Sequence, residues 1–409
     1  MSTRRRFTAG VVAIALLGAL GPASAAPRDT IVFGCAVSLT GSLAAEGKLT
    51  REGYDFWMRY VNSHGGIRVG QTAYNVDIKY ADDESTAQTT AKQVESLITD
   101  QHVDFILGPY ASGPTFAAAS VAEKHKIPMT DSAGAAERIF NQGYRYTFGV
   151  LSPARKYLVG IIEFAVKRSP KPRTVAISAA GDAFSLEVQQ GAVQSANDHG
   201  LHVVYAEHYT DDPASIAAAA SAIKAANPDI VLNAGHLQDA LAMHRALRDQ
   251  KVAAKIYGYS VGPDTPEFRN SLGADAQGVV GSAQWSPAVT YKADPGFYAT
   301  ARQYAQAFTK DVGHTPDYHN AEASAAALAF QYAIERAGSK DHEAVRDALA
   351  KLDVVTFFGL LKFDTRGLNV FKPMVVNQIQ GAKLATIYPY RLSDAPPVYP
   401  APAWTVSQK

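Results

Sequence analysis

The chain has 409 residues, with 39 basic and 38 acidic side chains, a net charge of +1 and 47% hydrophobic residues. That length exceeds one ordinary hydrophobic core, so two domains are expected, and an even charge balance without a basic block gives no support for nucleic-acid or polybasic membrane binding. The single cysteine, Cys35, rules out an internal disulfide and reads as a small buried hydrophobe within a strand.

Residues 1–25 have the pattern of a signal peptide. Arg4-Arg5-Arg6 gives a basic start, 10–20 is an apolar run too short to span a bilayer, and Ala23-Ser24-Ala25 fits a small-residue cleavage site. Thr3-Arg4-Arg5-Arg6-Phe7 also fits the twin-arginine pattern, so folded and unfolded export both stay open. Removing 1–25, with three arginines and no acid, moves the net charge from +1 to −2. No later stretch of the sequence is long and apolar enough for a membrane helix.

The mature chain opens with an apolar strand at 30–38, turned by Thr40-Gly41-Ser42 into a helix in which Leu49, Gly53, Phe56, Trp57, Tyr60 and Val61 recur at helical spacing. A strand at 74–80 and a helix at 86–99 follow. Next, 103–107 is a short apolar run that stops at Gly108-Pro109, and 127–130 is a second that stops at Asp131-Ser132-Ala133-Gly134. Between them 114–124 reads as a helix with Ser112 or Gly113 as its cap, which makes a parallel βαβ crossover. Ligands of open α/β sheets sit outside the carboxyl ends of the strands, so Tyr110-Ala111-Ser112 and Ala133-Gly134-Ala135 are candidate ligand edges, or else ordinary tight βα turns.

The pattern pauses near 144–152 and restarts: helix 153–167, strand 173–179, helix 183–198, strand 201–207, helix 214–226, strand 229–233, helix 237–249 and strand 254–258. This second alternating run of similar size supports two α/β domains. The join at Thr147-Phe148-Gly149 has no low-complexity linker and reads as a structured crossing. Helices follow at 295–311, 318–337 and 341–351, then strand-like pieces at 355–363, 373–380 and 384–388, and an Ala/Pro-rich tail laid on the surface or frayed.

With both halves in view, the sequence resembles the periplasmic solute-binding proteins of ABC importers, in the branch of the leucine/isoleucine/valine-binding proteins and their amide-binding relatives. The resemblance is carried by VSLTGSLAAEG at 37–47, VNSHGGI at 61–67, YADDESTAQTTAKQVESLI at 80–98, FILGPYASG at 105–113 and IPMTDSAGAAERIF at 127–140. It implies a two-lobed Venus-flytrap fold, each lobe a parallel sheet flanked by helices, joined by three crossovers. The lobes it implies are 28–147 plus 284–362, and 148–283 plus 363–392, with 393–409 as a tail and crossovers near Thr147, Ser282 and Asp364. It further implies a periplasmic, non-enzymatic monomer without cofactor or metal. Such a protein closes on a small ligand and presents it to a membrane permease with ATPase subunits.

Residue by residue, the family's carboxylate-binding serine falls on Ser112, its backbone position after the fourth strand on Ala133, and its ligand-binding threonine on Ala135, so one hydroxyl is missing. The first-turn tyrosine falls on Glu46, the second-lobe aromatics on Phe184 and His236, and the acid that pairs with the ligand ammonium on Ser260. Glu46 is the candidate replacement for that acid; otherwise the ligand is a keto acid, aromatic acid, urea or short amide without an ammonium. Each residue also has a structural reading. Ser112 fits a helix cap, Glu46 a dipole partner, Phe184 core, His236 a satisfied loop histidine, Tyr110 a pocket wall or surface aromatic, and Asp182 and Asp239 caps.

Other chemistry is weaker. Gly258-Tyr259-Ser260-Val261-Gly262 matches a nucleophile elbow after a strand, but Pro263-Asp264-Thr265-Pro266 blocks the helix that must follow at once. His199 with His202, His314 with His319, and Asp82-Asp83-Glu84 lack coherent metal-ligand spacing, and no Walker motif is present. A ligand sensor reporting to a receptor would use the same body as a transport component.

Overall fold

The computed structural model describes residues 29–381 and 383–404; the expected signal peptide lies outside the described residues. The first sheet is built from β1 (Thr30–Val37), α1 (Ala44–Ser63), β2 (Ile67–Val69), β3 (Thr72–Asp82), α2 (Ala87–Thr99), β4 (Phe105–Leu107), α3 (Ser112–His125), β5 (Met129–Asp131) and β6 (Thr147–Gly149). Its six strands run in the order β2-β3-β1-β4-β5-β6. All neighbours are parallel except the β2–β3 hairpin. β4 and β5 are buried throughout, which is why they read as short continuous apolar runs with no alternation.

The second half gives α4 (Val159–Ala165), β7 (Thr174–Ala180), α5 (Ala183–Asp198), β8 (His202–Tyr205), β9 (His208–Tyr209), α6 (Pro213–Ala226), β10 (Ile230–Ala234), α7 (Leu237–Asp249), β11 (Ile256–Tyr259), α8 (Pro266–Leu272) and β12 (Val280–Ala283). The chain then returns to the first lobe with α9 (Ala301–Val312), α10 (Tyr318–Ala337), α11 (His342–Ala350) and the hairpin β13 (Asp353–Thr356) and β14 (Gly359–Lys362). It comes back to the second sheet as β15 (Val375–Gln380) and β16 (Lys383–Tyr388). That sheet runs β16-β15-β12-β11-β10-β7-β8, with β9 also on β7, and β15 and β16 are its antiparallel members.

The three passages between lobes are tied together by buried polar groups. Ser152 N donates to Gln284 Oε1 at 3.1 Å and Gln284 Nε2 donates to Ser152 O at 3.2 Å. Ser152 Oγ donates to Lys372 O at 2.7 Å, and Lys372 Nζ donates back to Gln284 O. Ser152, Gln284 and Lys372 each belong to a different passage, so one knot of hydrogen bonds holds all three.

Several expected elements needed correction. The helix expected at 295–311 starts only at Ala301, because Pro295-Gly296 holds an irregular segment, Gly296 has φ 137°, and Thr300 caps the helix by accepting from Gln303 N. The expected helix 153–167 is a 3-10 turn at 154–156 followed by the shorter α4, and the expected strand 355–363 is a hairpin folded at Phe357-Phe358. β2, β6, β9, α8 and β12 were not expected at all. Residues 393–404 of the tail lie along the second lobe, where Trp404 Nε1 donates to Val252 O at 2.6 Å. Among the described residues no helix is long and apolar enough to cross a membrane.

Candidate functional site

The carboxyl ends of β4 and β5 bring the two candidate edges together. Ala111 sits at φ 69°, ψ 153°, a backbone region that costs a non-glycine residue about 1–3 kcal/mol, between Tyr110 and Ser112. That turn makes Ala111 the residue before the helix and places Ser112 inside its first turn, so Ser112 is not the cap. Its Oγ instead accepts from Ala136 N at 3.1 Å, joining the start of α3 to the loop after β5. The N–H groups of Ser112 and Gly113 donate to no described residue and point from the positive end of a 14-residue helix.

The second edge is partly engaged from below. Asp131 Oδ1 accepts from Ala133 N at 3.0 Å and from Gly134 N at 2.8 Å, and burial pushes its carboxyl up to about 7 despite those bonds. A Cβ on Gly134 would come within 2.6 Å of Thr115, so this close approach requires glycine. Ala135 packs in the main core. Tyr110, Ala111 and Ala133 form a separate small apolar patch with Leu43.

Glu46, buried in the first turn of α1, reaches across to the second lobe. Its Oε1 accepts from Leu237 N at 3.0 Å, where α7 begins, and sits 3.5 Å from the Tyr110 hydroxyl. Tyr110 Oη is 3.2 Å from His236 Nδ1, and the His236 ring lies 5.1 Å from Phe184. Burial alone would lower the imidazole of His236; Asp182, with Asp239 and Glu46 behind it, more than offsets this and lifts it to about 9. The Asp182 carboxylate is 3.8 Å from Nε2 and also accepts from Phe184 N and Ser185 N as the cap of α5. An imidazolium at His236 donates to Tyr110, which donates to Glu46, so the polar chain runs from one lobe to the other. Glu46, Tyr110, Phe184 and His236 therefore meet where the lobes touch, with Ser112 two residues on from Tyr110 at the start of α3.

Ser260 stands apart from them. It is fully buried, its Oγ donates to Gly235 O at 2.8 Å and accepts from Gly235 N at 2.9 Å, and it pins the end of β11 to that of β10. The next helix begins only at Pro266, capped by Thr265, so the turn is not a nucleophile elbow. The histidine pairs are likewise separated: His314 meets Glu52 at 3.0 Å and His319 meets Asp317 at 3.2 Å. Among the described residues no group of three metal-ligating side chains is placed to hold an ion.

The residues missed from sequence lie at the start of α10 and opposite it. Tyr318, His319 and Glu322 are buried, the His319 ring is 5.4 Å from Tyr110, and Tyr318 stacks on His319 at 4.1 Å. Asp264, in the second lobe, acts electrostatically on Tyr318 and with His319 and Asp317, and burial pushes its carboxyl up to about 7. Burial and then Asp317 hold Glu322 well above the ordinary carboxylate range, with Lys372 opposing them. One signal was available in the sequence: α10 is so rich in alanine that it must be buried all round, so a glutamate within EASAAALA has nowhere exposed to go.

A profile of the family described as "Periplasmic binding protein" matches residues 30–383. Leu/Ile/Val-binding protein homolog 7 of Brucella suis biovar 1 (strain 1330) is 24% identical over 388 residues, covering 92% of this chain and 94% of that protein. The leucine-binding protein LivK of Thermotoga maritima superposes with a TM-score of 0.76 at 21% identity, over 87% of this chain and 97% of that one. A solute-binding protein of an ABC transporter from R. palustris, in complex with benzoate, gives 0.73 at 16% identity, over 92% and 98%. With its profile matched from the first strand of one lobe to the last strand of the other, the chain belongs to the periplasmic binding protein family.

Proposed function

We propose that the chain is the exported, non-enzymatic binding component of an ABC importer, working as a periplasmic monomer. In this reading lobes 28–147 plus 284–362 and 148–283 plus 363–392 close on an amino acid or related small compound. The closed protein then presents it to a membrane permease and its ATPase. The observation that carries the reading is Glu46, a buried first-lobe carboxylate bound to the backbone of the second lobe through Oε1. Its Oε2 has no hydrogen-bond partner among the described residues.

Ser112 Oγ and the free N–H groups of Ser112 and Gly113 would hold the carboxylate end of the ligand, since helix-start donors replace lost hydration. Glu46 would take the ammonium, doing what Ser260 cannot. Tyr110, Ala111 and Ala133 would form the wall on the first lobe, and Phe184 and His236 the wall on the second. Ala133 and Gly134 contribute shape, as their N–H groups serve Asp131.

A ligand without an ammonium is the second reading, supported by the benzoate held by the R. palustris neighbour. Thermal-shift measurements on the mature protein separate the two, because a ligand that binds the folded state raises its apparent stability by mass action. Stabilisation by L-amino acids is expected. Stabilisation by benzoate and keto acids alone would overturn the role given to Glu46.

A further inference from the structure

We infer that the first turns of α10 form a second arm of the ligand site, which takes a donor-rich cationic nitrogen group (amine, amidine or guanidine) at the end of the ligand remote from Ser112. This inference rests on the interlobe site proposed above and adds a substrate class to it: amino acids with a basic side chain.

The fold leaves a group of polar atoms unmatched at the start of α10 and opposite it. Glu46 Oε2, Asp264 Oδ1, Tyr318 Oη, His319 Nε2 and Glu322 Oε2 are buried and have no hydrogen-bond partner among the described residues, and each belongs to a residue no more than 3% exposed. Most buried polar atoms in folded proteins are paired, so five in one region form a coherent exception. Tyr110 touches Glu46 and His319, Tyr318 stacks on His319, and Glu322 and Asp264 act electrostatically on Tyr318. Tyr318 and Glu322 are four residues apart in α10 and so share one helix face.

The chemistry of the five is one-sided. Three are carboxylate oxygens. In the neutral tautomer with its proton on Nδ1, directed at Asp317 Oδ2 3.2 Å away, His319 offers a bare Nε2 lone pair. The Tyr318 hydroxyl donates, and the Asp264 and Glu322 carboxyls, which burial pushes up, donate only while protonated, a form that a cation beside them disfavours. A branched aliphatic side chain would leave these acceptors unpaired, and a second carboxylate would add like charge to them, whereas an ammonium or guanidinium supplies three to five donors with the opposite charge. Lys372 does not fill this role itself. Its Nζ is bound to Gln284 O and Oε1 within the knot between the lobes, and it acts on Glu322 only through its charge at a distance.

Isothermal titration calorimetry at pH 7 on mature wild-type protein tests this with L-arginine, L-lysine, L-leucine and benzoate as probes. Arginine or lysine should bind at least tenfold more tightly than leucine, and Glu322→Gln should reduce that affinity tenfold or more while leaving leucine binding within threefold. Should Glu322→Gln fail to fold, Tyr318→Phe removes one hydroxyl and should weaken the basic ligand at least threefold. Leucine binding as tightly as arginine, or basic ligands unaffected by either substitution, would overturn the α10 arm and leave the interlobe amino-acid site standing. Binding of benzoate alone, or of none of the four, would overturn both.

Discussion

At the residue scale the site is decided by which polar groups are already satisfied. Ser112 is caught between two roles, bonding Ala136 N and standing among free helix-start N–H groups. Ser112→Ala should cost about 1 kcal/mol in urea unfolding through the lost bond and weaken ligand binding roughly tenfold. Unchanged affinity would remove Ser112 from the site. His236 carries a pH signature. Its imidazole rises from an ordinary 6.5 to about 9 in the fold, so its stabilising contribution is complete below about 6.5 and is lost as pH climbs through 9.

The full shift corresponds to about 3 kcal/mol. Asp182 has a side chain 43% exposed, and solvent screening there reduces the contribution to roughly 1–2 kcal/mol. Lys372 works in the other direction, since burial lowers its ammonium to about 7 and this favours the fold as pH rises. The measurement is therefore a difference: the stability gap between wild type and His236→Gln should shrink between pH 6.5 and 9.5, and a constant gap would refute the assignment.

At the element scale, what was legible in the sequence follows from burial. α5, α6, α7 and α10 were read to within about a residue of their ends because capping residues and long periodic patterns mark them. β6 and β12 are three and four residues long and carry glycine or serine, too little for a pattern to show. The site was legible in part. Tyr110, Ser112 and Glu46 stand out as chemistry after strands or in a first helical turn, but the side chains of α10 come to them from more than 200 residues along the chain, and only packing reveals that.

That packing turns on Gly53 of α1, where a Cβ would lie 2.2 Å from Asn320 O and 2.9 Å from Ala323 Cβ. Ser324 Oγ donates to Gly53 O at 2.6 Å across the same contact. Gly53→Ala must push α10 away from α1 and should destabilise the protein by about 2–3 kcal/mol in urea unfolding. A change below 0.5 kcal/mol would show that the two helices are not packed this closely.

At the scale of the whole molecule, two lobes are held by one polar knot and meet again at the proposed ligand site. Ser152, Gln284 and Lys372 fix the hinge side, while Glu46 with Leu237 and Tyr110 with His236 join the opposite lips. Closure of this kind rotates rigid lobes about a few residues. Opening must break the lip contacts first, because each is a small number of bonds, and the hinge knot is fully buried.

The central claim is best tested by a distance across the lips. Lys48 on α1 and Gln238 on α7 are exposed beside Glu46 and Leu237, and the thiol of Cys35 is buried and pushed well up by burial, so spin labels at Lys48→Cys and Gln238→Cys should react selectively. Double electron–electron resonance should give a longer, broader distance distribution without ligand and a shorter, narrow one at saturation with a ligand whose binding calorimetry has established. Identical distributions in both states would contradict the account, because binding would then proceed without the lobes closing.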